Sequence, residues 1–136
     1  MPCNSQKRNA QALRINSRNP SAYNNLGNLS LKQGQLEEAL AWYEEALKIE
    51  PNFSAAIFNL GTALLRMGKI KEAEFYLKDA VRMDGGNYDA HVNLGVVLVA
   101  QHRIPEAIRH FQEALRINPH SREAAHEGGR SPARLT

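Results

Sequence analysis

The heptapeptides AYNNLGN at 22–28, AIFNLGT at 56–62 and AHVNLGV at 90–96 are one motif written three times, 34 residues apart. Behind each comes a second shared stretch: LEEALAWYEEALKIEP at 36–51, IKEAEFYLKDAVRMDG at 70–85 and IPEAIRHFQEALRINP at 104–119. Residues 20–53, 54–87 and 88–121 thus superimpose as three gapless blocks. A fixed period of this length marks a chain built by stacking copies of one small unit.

Each block divides into two amphipathic halves. Tyr23, Leu26, Gly27 and Ser30 recur as Ile57, Leu60, Gly61 and Leu64, then as His91, Leu94, Gly95 and Leu98. That spacing of i, i+3, i+4, i+7 predicts a helix with one face turned inward. The second half repeats Leu36, Ala39, Leu40, Tyr43, Ala46 and Leu47 with the same periodicity. Gly34 and Gly68 separate the halves, where a helix C-terminus favours a residue tolerant of positive φ. Pro51 and Pro119 close second helices, and Pro105 opens one, where its missing N–H costs nothing. Two departures stand out: His102 replaces the turn glycine of block three, with modest strain expected, and Gly85 with Gly86 replaces the closing proline of block two, which should loosen that junction.

The period, the Leu-Gly pair of the first helix and the Ala, aromatic or Leu, Ala series of the second resemble the tetratricopeptide repeat family. The resemblance covers residues 20–121 and implies an all-α, right-handed superhelical array of about three antiparallel helix pairs whose first helices line a concave groove. Small residues explain how such helices stack. Gly27, Gly61 and Gly95 let helix axes approach, while Tyr43, Leu77 and Phe111 fill the gaps.

The two ends break the pattern. Within residues 1–19, KRNAQALRIN at 7–16 matches the end of a second helix, with Ala12, Leu13 and Ile15 aligned to Ala46, Leu47 and Ile49. At 120–127, HSREAAHE begins like another first helix and stops at Gly128, so residues 122–136 read as the start of a capping helix and a disordered tail. A stacked array needs polar end caps, and neither end supplies one. The expectation is a piece of a longer array, an isoform with a replaced end, or a unit that caps itself by association.

The chain carries a formal charge of +3, but the excess lies in its ends. Residues 1–19 hold Lys7, Arg8, Arg14 and Arg18 and no acid, whereas in residues 20–119 acids outnumber bases by twelve to ten. No basic stripe follows the helices, so nucleic-acid binding is not expected. The single Cys3 can form no internal disulfide. No apolar run approaches the ~20 residues that span a bilayer, and no signal-peptide core opens the chain, so membrane insertion is not expected and a cytoplasmic location is the default.

Chemistry is poorly represented. His91, His102, His110, His120 and His126 show no metal-ligand spacing and read as scattered surface histidines, so no metal or cofactor is expected. Glu37, Glu38, Glu44 and Glu45, with Lys48 four residues after Glu44, read as a solvated helix face. Cys3 has no activating neighbour, and Gly85 and Gly86 form a junction, not a phosphate loop. Trp42, Tyr76 and His110 are placed on the convex side. The chain reads as no enzyme.

What packing leaves free is a second stripe on the first helices. Its members are Asn24, Asn25 and Asn28 in block one, Phe58, Asn59, Thr62, Leu65 and Arg66 in block two, and Asp89, Val92, Asn93 and Val96 in block three. Asn25, Asn59 and Asn93 form a ladder of amides, each offering donor and acceptor to the backbone of an extended peptide whatever its sequence. The ladder is similar to that in the repeat arm of the O-linked N-acetylglucosamine transferase; an asparagine at this place can equally serve packing. Phe58, Val92, Val96 and Val99 could form an apolar pocket. Asn24, Asp89 and Asn93 stand where chaperone-adaptor members of the family place cations, so clamp-type binding of a C-terminal carboxylate is not expected. Three readings follow: a non-catalytic scaffold binding a peptide or partner protein, the substrate-recognition arm of a larger enzyme, and a self-stacking structural unit.

Overall fold

The computed structural model describes residues 19–119. The partial helix expected at 7–16 and the capping helix and tail expected beyond 121 lie outside the described residues. Six helices follow in order: α1 Pro20–Lys32, α2 Leu36–Ile49, α3 Ser54–Arg66, α4 Ile70–Met83, α5 Tyr88–Ala100 and α6 Ile104–Ile117. Among the described residues there is no strand, and no helix is long and apolar enough to cross a membrane.

Local chemistry sets the helix ends. The Oδ1 atoms of Asn19 and Asn87 accept from Ala22 N at 3.2 Å and Ala90 N at 3.0 Å, capping α1 and α5. At the other end of each first helix the chain reverses through a positive φ, +76° at Gly34, +81° at Gly68 and +61° at His102. The bonds Gln35 N to Ser30 O, Lys69 N to Leu64 O and Arg103 N to Leu98 O, each 2.9 Å, complete the same six-residue closure three times. His102 thus pays the left-handed penalty that the two glycines avoid. Gly85 and Gly86 do not use positive φ. Their turn is tied rather than loosened, because Asp84 Oδ1 accepts from Gly86 N at 3.1 Å and Gly85 O is held by His91 Nε2 at 3.0 Å.

Helices pack in antiparallel pairs, α1 with α2, α3 with α4 and α5 with α6, and each pair stacks on the next through α2 against α3 and α4 against α5. The array is an all-α solenoid. Along it, α1 touches α3 and α3 touches α5 more extensively than the second helices touch one another, so the first helices lie on the inner side of the curve. The core runs through the stack as Ala39, Tyr43, Leu60, Leu64, Ala73, Leu77, Leu94 and Leu98, all buried. Within each pair glycine and large residue interlock. A Cβ on Gly27 would sit 2.4 Å from the Tyr43 ring, one on Gly61 2.9 Å from Leu77 Cγ, and one on Gly95 2.5 Å from the Phe111 ring.

The three aromatic-column residues lie on the second helices and are half-buried there. Trp42 stacks on Tyr23 with centroids 5.9 Å apart, and Tyr76 packs on the buried core. The histidine reading needs correction, because His91, only 7% exposed, stacks on His110 at 5.4 Å. Their Nδ1 atoms are 3.2 Å apart. Gly85 O can only accept, so His91 donates to it from Nε2. Desolvation, helped by the facing His91 and by Arg109, pushes the His110 imidazole below its ordinary range, although Glu106 pulls the other way. A histidine kept neutral by the fold loses nothing above its unfolded pKa near 6.5 and costs stability as the pH falls below it. Denaturant midpoints are therefore expected to drop between pH 7 and pH 5, and His110→Tyr, the residue one block earlier, should flatten that dependence.

Candidate functional site

The inner face of α1, α3 and α5 carries the proposed groove residues, and the structure differentiates them. Asn25, Arg66, Asp89 and Val96 are exposed; Asn28, Phe58, Asn59, Thr62, Leu65, Val92 and Asn93 are half-buried; Asn24 is buried. Phe58 and Leu65 pack against the core, so their rings and methyls are partly spent on stability. The Asn28 Oδ1 accepts from the buried Tyr43 hydroxyl at 2.7 Å. Burial, against the opposing charge of Arg66, pushes that hydroxyl up to about 12, so it stays a donor.

The amide ladder is built in two ways. Asn59 Nδ2 donates to Asn24 Oδ1 at 3.0 Å, and Asn93 Nδ2 donates to Thr62 Oγ1 at 3.1 Å. Thr62 spends its only hydroxyl proton on Phe58 O at 3.0 Å, so toward Asn93 it can only accept. That fixes the Asn93 amide with its nitrogen toward α3. Both amides are anchored by one N–H to the preceding first helix, and their carbonyl oxygens have no partner among the described residues. Asn25 is exposed and bonds to nothing described. These bonds set the orientation of the Asn59 and Asn93 amides, while that of Asn25 is not set by any described bond.

Sequence reasoning missed the outer side. Between α2 and α4 lies an open cleft of about 500 Å3 over Leu60 and Leu64. Its one signal was Phe75, an apolar residue on a helix face where Arg109 stands one block later. The matching place between α4 and α6 carries instead a polar network. Glu74 accepts from Gln101 Nε2 and Arg103 Nη1, both at 2.8 Å, and pairs with Lys78 at 3.0 Å, while Arg103 also grips Glu106 at 2.7 Å. Burial alone would raise the Glu74 carboxyl, but those three partners together bring it down to about 2. Among the described residues no three His, Cys, Asp or Glu side chains converge as metal ligands.

Two family models, both described as tetratricopeptide repeat, match residues 20–53 and 58–122. The chain belongs to the tetratricopeptide repeat family. No curated protein matches it in sequence. Among solved repeat structures, that of MamA is 21% identical with a TM-score of 0.79, covering 88% of this chain and 74% of MamA, and shows the shared fold. YrrB, described as a TPR protein with an unusual peptide-binding site, is 27% identical with a TM-score of 0.77; the match covers 88% of this chain and 62% of YrrB. The first repeat domain of Spaghetti (RPAP3), solved with the HSP90 peptide SRMEEVD, is 25% identical with a TM-score of 0.75, covering 79% of this chain and 86% of that one.

Proposed function

We propose that this repeat array is a non-catalytic scaffold that binds an extended peptide, or an extended segment of a partner protein, along the inner face of α1, α3 and α5. The observation that carries the reading is the anchored amide row, in which Asn59 and Asn93 are each held by one N–H and keep a carbonyl oxygen for a peptide N–H. The peptide-binding structures of YrrB and Spaghetti support it. Asn25, Asn59 and Asn93 would register the peptide backbone. Asp89 and Val96 would select side chains, and Arg66 would meet an acid.

The test is a binding titration of an extended-peptide library against wild type and the Asn25→Ala, Asn59→Ala, Asn93→Ala triple variant. Binding is expected to weaken about tenfold or more in the triple variant. Asn59→Ala also strips Asn24 of its donor, which costs stability, whereas Asn25→Ala disturbs no described bond and serves as the clean single variant. Equal binding by wild type and triple variant removes the ladder from the account.

The same row would suit the substrate-recognition arm of a larger enzyme, as in the asparagine ladder of the O-linked N-acetylglucosamine transferase arm; the full parent reading frame decides that. Self-association has its own supporting observation. Ile104, Ile108 and Leu115 of α6 are 44%, 48% and 39% exposed, on the face whose counterparts Leu40 and Leu47 pack against the core. Sedimentation across a concentration series measures it.

A further inference from the structure

The first and second outer interstices are built from the same repeat positions and lined by opposite chemistry. Leu40, Glu44, Met67, Lys69 and Phe75 at the first correspond to Glu74, Lys78, Gln101, Arg103 and Arg109 at the second. At the second, Glu74 on α4 is tied through Arg103 to Glu106 on α6, with Gln101 also bonded to Glu74. At the first, the space stays open as a cleft of about 500 Å3, a size that accommodates small ligands and bulky side chains. Its floor is Leu60 and Leu64. One wall is Leu40 and the other Phe75 and Tyr76, whose rings meet edge to face at 5.0 Å.

Phe75 is 65% exposed, the most exposed large apolar side chain among the described residues. The rim has charges with nothing to do. Lys69, Lys71, Glu44 and Glu72 line the cleft, and none of them forms an ion pair or side-chain hydrogen bond among the described residues. Lys69 and Lys71 stand at the first turn of α4, whose N-terminus has no side-chain cap. Glu72 shares that first turn and already complements the helix dipole, so an incoming anion is favoured by the two ammonium groups and the uncapped N–H groups.

We propose that this outer cleft is a second binding site, for a short peptide segment in which a bulky apolar side chain is followed or preceded by one acidic residue. The apolar side chain seats on Leu60 and Leu64 between Leu40 and Phe75, and the carboxylate is met by Lys69 and Lys71. Glu44 and Glu72 on the same rim restrict the segment to one acid rather than an acidic run. This site shares no residue with the inner amide row.

The experiment uses fluorescein-labelled Gly/Ser nonapeptides carrying a central Asp-Phe, Phe-Asp, Lys-Phe or Asp-Ala pair, followed by anisotropy. At least one of the two Asp and Phe peptides is expected to bind saturably, with Lys-Phe and Asp-Ala about tenfold weaker or worse. Two variants locate the site. Leu40→Glu with Glu44→Lys, Met67→Gln and Lys69→Arg transplants the network that the next interstice already tolerates. Phe75→Arg copies Arg109 at an exposed position and leaves the core intact. Both are expected to reduce binding about tenfold at unchanged helical circular dichroism, while the triple asparagine variant binds like wild type. Four results overturn the proposal: no binding of either Asp and Phe peptide, equal binding of Lys-Phe, undiminished binding by Phe75→Arg, or loss of binding in the asparagine variant instead. A failed amide row with an intact cleft, or the reverse, separates this site from the inner groove.

Discussion

Leu77→Ala is expected to destabilise the array by about 2–5 kcal/mol, read as a fall in the urea midpoint. Leu77 is fully buried at the centre of the stack, where α4 meets α3 across Gly61. Truncation removes its transfer free energy and leaves a cavity in the middle of the buried cluster it shares with Leu60, Leu64, Ala73 and Leu94. The same geometry predicts coupling. In the wild type, a methyl on Gly61 meets Leu77 Cγ at 2.9 Å and the backbone N of Leu77 at 3.3 Å. With Leu77 cut to alanine the side-chain clash disappears and the helix-propensity gain of about 1 kcal/mol from Gly to Ala is set against the backbone contact alone. Gly61→Ala should therefore cost less in the Leu77→Ala background than in wild type, and additive effects would show that the two residues do not share one space.

The second large effect is a contrast. Gly27→Ala and Gly95→Ala place a methyl 2.4 Å and 2.5 Å from an aromatic ring, so a census of distances predicts equal damage. The rings differ in their freedom. Tyr43 is fully buried and tethered through its hydroxyl to Asn28 at 2.7 Å, so it cannot swing aside without breaking a bond and leaving a buried donor unpaired. Phe111 is half-buried, has no tether, and lies on the helix whose outer face is exposed. Gly27→Ala is expected to lose about 1–3 kcal/mol in spite of the propensity gain, and Gly95→Ala to lose under half as much. Thermal melts of the two variants side by side decide it. Adding Tyr43→Phe to Gly27→Ala should narrow the gap.

Much of this architecture is legible in the sequence because the period is. Columns 34 apart carry the packing, so Gly27 with Tyr43 and Gly61 with Leu77 could be paired from the alignment, and both pairs interlock as expected. The alignment could not show bonds that run between columns. Asn59 reaches Asn24 at a separation of 35 and Asn93 reaches Thr62 at 31, so neither link falls on the repeat. A ladder of three equivalent amides was the expectation; two anchored amides and one exposed amide are what the helices present.

The histidine pair escaped for a similar reason. Each ring occupies a column held elsewhere by Tyr23 or Ile57 and by Trp42 or Tyr76, and only stacking first helix on second brings the two together. The outer cleft was hidden because a column that reads Leu40, Glu74, Ile108 looks like a stripe with one blemish. In the folded chain that blemish is the centre of a bonded network, and the leucine lines an open cleft.

The unequal interstices also give the array unequal stiffness. Glu74, Arg103 and Glu106 link the second helix pair to the third from the outside, which should stiffen that junction. Among the described residues the first pair has no such outer link and is joined to the rest by α2 on α3, by the inner contact of α1 with α3 and by the Asn59–Asn24 bond. Bending therefore concentrates at one flexure, with the inner row as its pivot and the outer side as the gap that widens or closes. A side chain wedged on the outside would hold that angle, and the angle sets how far Asn25 stands from the other two rungs.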